Sequence, residues 1–365
     1  MRDAGFGGDI VLAGSEAVLP YERPHLSKGY LLGTVPRQRL GLRPAGQYRD
    51  LGIELMLGEP VADLGIERRT AALESGRMIA WDRLCLATGS GARRLVGFED
   101  GIYLRELPDA DALLAEFDRH DELSVVGAGF IGCEVAAAAR QKGIGVHVYE
   151  TLDQPLMRVL GPELGAYLAE VHRAHGVDLR LRADAPPGIS PPVLVGAGSQ
   201  PRTELAERAG LEVDGGIVVD DFGRTSAPDV FAAGDVTRFW SPLFEARIRV
   251  EHFQTAQRQG FAVGRAMAGV DEPFTEVPWF WSDQYELNLQ YVGAGVAWDE
   301  TVTRGAFGRP PFSVFYLRRG RLVAAAGIND PRIVSRSRRL MQRRATVSPR
   351  DLADPGFDLR SARPA

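Results

Sequence analysis

Ser124-Val-Val-Gly-Ala-Gly-Phe-Ile-Gly-Cys-Glu-Val-Ala-Ala-Ala-Ala-Arg-Gln-Lys-Gly-Ile-Gly-Val-His-Val-Tyr-Glu150 is the stretch whose reading decides the fold. An apolar strand runs into Gly127, an Ala-rich helix follows, Gly143 and Gly145 stop that helix, and Val146 to Tyr149 forms the next strand. Gly127 permits the tight turn, Gly129 lets the backbone approach a pyrophosphate, and Gly132 lets the helix pack on the strand. The phosphates then face free N–H groups at the helix start. Glu150 ends the second strand, roughly 20 residues past the glycines, where a carboxylate accepts from ribose hydroxyls. An acid there favours NAD over NADP, whose ribose phosphate it repels.

The same chain supplies controls. Val-Gly-Ala-Gly also occurs at Val195 to Gly198, where Pro201 blocks a helix, and at Val292 to Gly295, where no third glycine follows. Both read as strand ends.

With 365 residues, the chain can hold two or three domains. Its 45% hydrophobic and 25% charged composition excludes a disordered or fibrous class, and a net charge of -5 gives no general attraction to nucleic acid. No signal segment or membrane-spanning run is visible, which leads to the expectation of a soluble cytoplasmic protein. Cys85 and Cys133 form no C-x-x-C or zinc pattern, so no metal site is expected and both thiols read as packing residues. Lys28 and Lys142 are the only lysines.

In chain order, Asp9 to Ala13 reads as a strand with Glu16 beyond it on a second ribose, and Pro20 to Tyr30 as a basic loop opening a helix. Ile53 to Ile79 reads as a small antiparallel sheet. Leu104 to Leu123 and Gly161 to His175 read as helices, with a Pro-rich loop through Pro191 and Pro192. Asp235 follows a strand and a glycine, where it serves a cofactor hydroxyl or caps a helix. After Pro273, aromatic alternating strands from Trp279, Leu287, Phe312 and Leu322 read as a separate antiparallel domain, closed by an Arg-rich helix over 331–344.

These residues together resemble the FAD-dependent ferredoxin reductases of the pyridine-nucleotide-disulfide-reductase-like class, the group of putidaredoxin and rubredoxin reductases. The carriers are Pro20 to Lys28, Leu84 to Gly89, Gly127 to Glu134, Phe231 to Asp235, Glu251-His252, Gln259-Gly260 and Pro278 to Tyr285. The mitochondrial apoptosis-inducing flavoproteins are a more distant match. No cysteine stands between Pro24 and Lys28, which disfavours a disulfide reductase or an NADH oxidase.

The resemblance implies an α/β fold with two Rossmann-like domains, the NAD domain inserted in the FAD domain, and a C-terminal α+β domain. The boundaries expected are 1–105 and 200–272 for FAD, 106–199 for NAD and 273–365 for the C-terminal domain. It implies hydride transfer from NADH to flavin and onward transfer of single electrons to a ferredoxin-type iron-sulfur protein serving a monooxygenase or dioxygenase.

By that resemblance Lys28 and Glu134 form an ion pair beside the flavin, Arg23 and Pro24 flank it, Asp235 and Gly234 hold its chain, and Trp281 covers its ring. Thr88, Gly89, Phe130, Ile131, Gly198, Glu251 and His252 complete the expected cofactor contacts. Two plainer readings stand beside these: Glu134 as a first-turn acid favoured by the helix dipole, and Trp281 as core. Arg332, Arg336, Arg338, Arg339, Arg343 and Arg344 either receive an acidic ferredoxin or form a solvated helix face.

Two family pieces are expected to be missing from the chain: the first GxGxxG, which would precede Met1, and an antiparallel meander between the strands at Val177 and Val193. The alternative to the reductase is therefore an NADH-binding sensor or partner-binding pseudoenzyme without tight FAD.

Overall fold

The computed structural model describes residues 1–190 and 192–362; Pro191, in the Pro-rich loop, lies outside the described residues. The chain divides into two compact units. One comprises Met1–Glu22, Arg37–Gly91 and Pro201–Glu276; the other comprises Arg23–Pro36, Ala92–Gln200 and Val277–Ala365.

In the first unit, Ile10–Gly14 pairs in parallel with Ile53–Leu57. This corrects the expectation that Ile53 to Ile79 is one antiparallel sheet. The backbone of Gly58 and Glu59 keeps bonding to Glu16 and Gly14, and Pro60, lacking an N–H, then breaks the run. The antiparallel meander is Val61–Gly65, Thr70–Leu73 and Met78–Ala80. Leu84–Leu86 pairs in parallel with Val230–Ala232. Thr237–Ser241 and Ala246–Ile248 form a hairpin that the sequence reading leaves unassigned.

Helix Phe253–Ala266 buries Thr255, Gln259, Val263 and Ala266, a stripe at helical spacing. Val263 and Ala266 pack with Phe231, Ala233 and Met267.

The second unit holds a four-stranded parallel sheet in the order Val177–Leu181, Gly145–Glu150, Glu122–Val126, Val193–Val195. No strand lies between Leu181 and Val193 among the described residues. Ala185 and Ile189 instead fold their side chains onto Tyr103, Val126 and Val195. Helix Leu107–Phe117 is shorter than the expected span of 104–123. Glu106 and Asp109 form a capping box at its start, and the chain needs Glu122–Val126 as a strand.

Helix Met157–Ala174 is broken at Gly161, whose φ of 78° precedes Pro162. Trp298 fills the space beside Gly161, where a Cβ would meet its ring at 2.9 Å. The Tyr316 hydroxyl donates to the Leu160 carbonyl at 2.8 Å.

A five-stranded antiparallel sheet completes this unit in the order Trp279–Gln284, Leu287–Gly293, Arg321–Ile328, Phe312–Arg318, Glu300–Arg304. The last of these escapes the sequence reading because only Val302 and Arg304 of its five residues are buried. Helix Ile333–Gln342 packs on the Arg321–Ile328 strand.

Candidate functional site

Each glycine of the 127–132 loop has a distinct physical reason. Gly127 has φ of 96°, and a Cβ there would lie 2.7 Å from the Gly196 carbonyl oxygen. At Gly132 a Cβ would lie 2.0 Å from the Gly127 carbonyl oxygen, so helix Phe130–Gln141 can approach its strand only with glycine. Gly129 differs, since the nearest atom to its Cβ would be 3.6 Å away. Nothing inside the protein requires glycine at that position, and the open space lies at the helix start, where N–H groups have no intrahelical acceptor. A nucleotide pyrophosphate fits that space and those donors.

Glu150 is bound into this loop. Its carboxylate accepts from the Ala128 N–H at 2.7 Å and the Leu152 N–H at 2.9 Å, tying the end of its strand to the turn. The Thr151 hydroxyl also donates to it at 3.3 Å, and since an ionised carboxylate has about four acceptor sites, capacity for a ribose hydroxyl is left.

Glu134 lies one turn further along the helix and is buried, 4% exposed. Lys28 Nζ donates to its Oε2 at 2.7 Å, the Ser27 hydroxyl donates to the same oxygen, and the Ser282 hydroxyl donates to Oε1 at 2.6 Å. Lys28 also donates to the Pro24 carbonyl at 3.2 Å, closing the turn Arg23–Ser27 onto itself. Arg23 is held by the Arg105 carbonyl at 2.8 Å.

The geometry behind Ser282 is a match of periods. Phe130 and Glu134 stand four apart on a helix, about 6 Å along its axis; Phe280 and Ser282 stand two apart on a strand, about 6.6 Å. The Phe130 and Phe280 rings meet edge to face at 4.6 Å, and Ser282 then falls opposite Glu134. Trp281 lies on the other face of this edge strand, with its ring 5.9 Å from that of Trp279.

Behind Ser282 a polar string continues inward. The Gln284 amide donates to the Ser282 hydroxyl at 3.0 Å, His172 Nε2 lies 3.0 Å from the Gln284 carbonyl oxygen, and the Tyr285 hydroxyl lies 3.1 Å from His172 Nδ1. Burial pushes the His172 imidazole down to about 4.

The first unit places other expected residues. Gly234, with φ of 83°, donates its N–H to Gln259 Oε1 at 2.8 Å, and Thr237 donates to the same oxygen at 3.0 Å, which fixes the turn carrying Asp235. Thr88 donates to the Arg202 carbonyl at 2.7 Å, and Gly89 sits at φ of 67°. Glu251 accepts from Ser90 at 3.3 Å and pairs with Arg249; His252 is half-buried, and loss of water around its ring pushes it down to about 4. Glu16 accepts from the Tyr21 hydroxyl at 2.6 Å. Gly198, in the second unit, takes a left-handed turn whose carbonyl accepts from the Arg93 N–H.

Sequence reasoning missed Ser27, Ser282, Gln284 and His172 as site residues. The signal was present: Ser282 and Gln284 alternate with Trp281 and Asp283, and His172 continues the apolar row of Leu164 and Leu168 at four-residue spacing. A polar residue on a buried face calls for a partner. Burial raises both thiols, Cys85 to about 12, which leaves neither as a thiolate near neutral pH.

Comparison with known proteins gives the family. Residues 1–186 and 191–260 match the pyridine nucleotide-disulphide oxidoreductase family, and residues 279–363 match the reductase C-terminal family. The ferredoxin–NAD(+) reductase component of the anthranilate 1,2-dioxygenase system of Burkholderia cepacia is 40% identical over 99% of this chain and 94% of its own length. Rhodocoxin reductase of Rhodococcus erythropolis is 36% identical over 99% of this chain and 90% of its own. Among solved structures, the covalent putidaredoxin reductase–putidaredoxin complex superposes with a TM-score of 0.94 at 33% identity, covering 98% of this chain and 93% of that one. Enzymes of this kind use FAD and NAD(H). With its nucleotide loop, its aromatic C-terminal sheet and relatives matched nearly end to end, the chain belongs to the pyridine nucleotide-disulphide oxidoreductase family, among the ferredoxin–NAD(+) reductases.

Proposed function

We propose that this protein takes a hydride from NADH into FAD and passes the electrons singly to a ferredoxin-type iron-sulfur protein that serves a monooxygenase or dioxygenase. The observation that carries this reading is the Lys28–Glu134 ion pair, in which a largely buried lysine meets a buried carboxyl group on the helix that starts at the nucleotide loop. A buried ion pair is a poor stabilising device, since well-packed apolar residues of the same volume do as well or better. Its placement beside a nucleotide site argues for a task in catalysis.

FAD, when bound, supplies the step from two-electron to one-electron chemistry. The chain's own residues orient and exclude. Gly129 and the helix start take the NADH pyrophosphate, with Phe130 and Ile131 beside it, and Glu150 takes the adenosine ribose. Lys28 and Glu134 present a fixed, desolvated dipole to the reacting rings, with Arg23 and Pro24 shaping the same turn. Asp235, on the turn built by Gly234, Thr237 and Gln259, serves the flavin chain. Thr88, Gly89, Glu251 and His252 in the first unit, and Gly198 and Trp281 in the second, are assigned to the cofactors. Glu16 is assigned to the FAD ribose. Residues 106–199 form the NAD domain, 1–105 with 200–272 the FAD domain, and 273–365 the C-terminal domain. The arginines from Arg332 to Arg344 offer the acidic partner a positive face, and the work is placed in the cytoplasm.

The test is FAD uptake by the purified protein, followed by anaerobic titration with NADH. Stoichiometric bleaching of the flavin absorbance is expected, with reduction at least about tenfold slower in Glu134→Gln. A protein that binds NADH but takes up no FAD would instead support the sensor reading.

A further inference from the structure

Five side chains form one hydrogen-bonded string, and its donors all point the same way. Ser282 has a single proton, and Glu134 Oε1 is its acceptor at 2.6 Å. Gln284 must then donate from its amide nitrogen to Ser282, which turns its carbonyl oxygen toward His172. That oxygen only accepts, so His172 must carry its proton on Nε2. Nδ1 is left bare, and the Tyr285 hydroxyl donates to it at 3.1 Å. Every hydrogen bond follows from the one before, starting at the carboxylate.

The members are built in rather than incidental. Ser282, Gln284 and His172 are 0%, 2% and 2% exposed, and the contact between their strand and their helix, Gln284 to His172, joins residues 112 apart in sequence. Tyr285 opens the two-residue turn of the hairpin in the left-handed region, φ of 56°, a conformation uncommon for an aromatic residue. Its ring stacks on His175 at 3.6 Å while its hydroxyl meets His172. A Gln in the middle of the string settles what the string can do. An amide donates and accepts but keeps its own protons, so the string transmits polarisation and geometry and does not conduct protons.

We propose that Tyr285, His172, Gln284 and Ser282 are positioning residues that hold the Glu134 side chain in one rotamer, aimed at Lys28, and that the speed of NADH oxidation depends on this string. The inference rests on the function proposed above. Ser27 and Lys28 fill Oε2 alone, so cutting the string leaves Oε1 buried without a donor.

Two measurements test it. In protein labelled with 15N-histidine, His172 is expected as the neutral Nε2–H tautomer from pH 5.5 to 8, and a Nδ1–H tautomer or a charged ring would overturn the string whatever the protein's function. In stopped flow at saturating NADH, Ser282→Ala is expected to slow flavin reduction about tenfold, the weight of one hydrogen bond to a charge, with NADH affinity nearly unchanged and a melting temperature lowered by about a few degrees, because Oε1 loses its donor. In a Glu134→Gln background the same substitution should add little, because its effect runs through the carboxylate. Full additivity of the two substitutions, or an Ser282→Ala rate equal to that of the unaltered chain, would overturn the positioning role. Failure of the unaltered protein to bind FAD would remove the proposed function while leaving the tautomer measurement to judge the string.

Discussion

At the scale of single residues, Gly129 and Gly132 separate fold from function within one loop. A methyl at Gly132 collides with backbone, so Gly132→Ala should cost about 3 kcal/mol of stability, read from urea unfolding. A methyl at Gly129 meets nothing closer than 3.6 Å, so Gly129→Ala should cost under about 1 kcal/mol yet weaken NADH binding about tenfold or more. Equal losses of stability in the two variants would refute the assignment of Gly129 to the nucleotide. The glycines were legible in the sequence because each has a known spacing and a local cause. The spacing of Ser282 and His172 signals a buried face, but their roles were not legible, because those depend on which helix faces which strand, and a single segment does not carry that.

At the scale of elements, Arg304 shows how one strand holds a distant segment. Its guanidinium donates to the carbonyls of Leu352, Pro355 and Phe357, at 3.3, 3.1 and 2.7 Å. Three carbonyls at fixed positions need a planar fork of donors, which lysine lacks. Arg304→Lys should therefore free the segment around helix Pro349–Ala353, seen as faster tryptic cleavage at Arg350 with the strand pairing intact. Unchanged cleavage would show that Leu352 and Leu359, both buried, suffice to hold it. This strand was invisible in the sequence for the same reason that it matters. Its alternation of Glu, Thr and Arg around one Val looks like a solvated loop, and one of its two buried residues is a charge. The Ile53–Leu57 strand failed differently, since a short apolar run does not announce whether its partner runs parallel or antiparallel.

At the scale of the whole molecule, one buried and one half-buried histidine bear on its tolerance of acid. His172 and His252 are both pushed down to about 4 by burial, in different units. Between that value and the unfolded value near 6.5, the unfolded chain binds a proton that the folded chain refuses, so stability rises with pH across this window. Each histidine contributes a slope of about 1.4 kcal/mol per pH unit there, full stability being present above pH 6.5 and the contribution gone below about 4. Denaturant midpoints measured from pH 4.5 to 7.5 should show this rise, and His172→Gln should flatten it for the second unit. A pH-independent midpoint in the unaltered protein would contradict it. The overall class, α/β with an aromatic antiparallel sheet toward the C-terminus, was legible because periodicity and glycine punctuation are local.

The break at Gly161 bears on how such a chain can be re-engineered or recombined. Trp298 needs the space that a side chain at 161 would fill, and Tyr316 needs the Leu160 carbonyl that the break exposes. The C-terminal sheet therefore carries its footprint inside a helix some 140 residues upstream in the chain. A chimera that exchanges residues 273–365 with those of a relative, so as to change the electron acceptor, must move Leu160-Gly161-Pro162 with them. The unit of exchange is this sheet together with its socket.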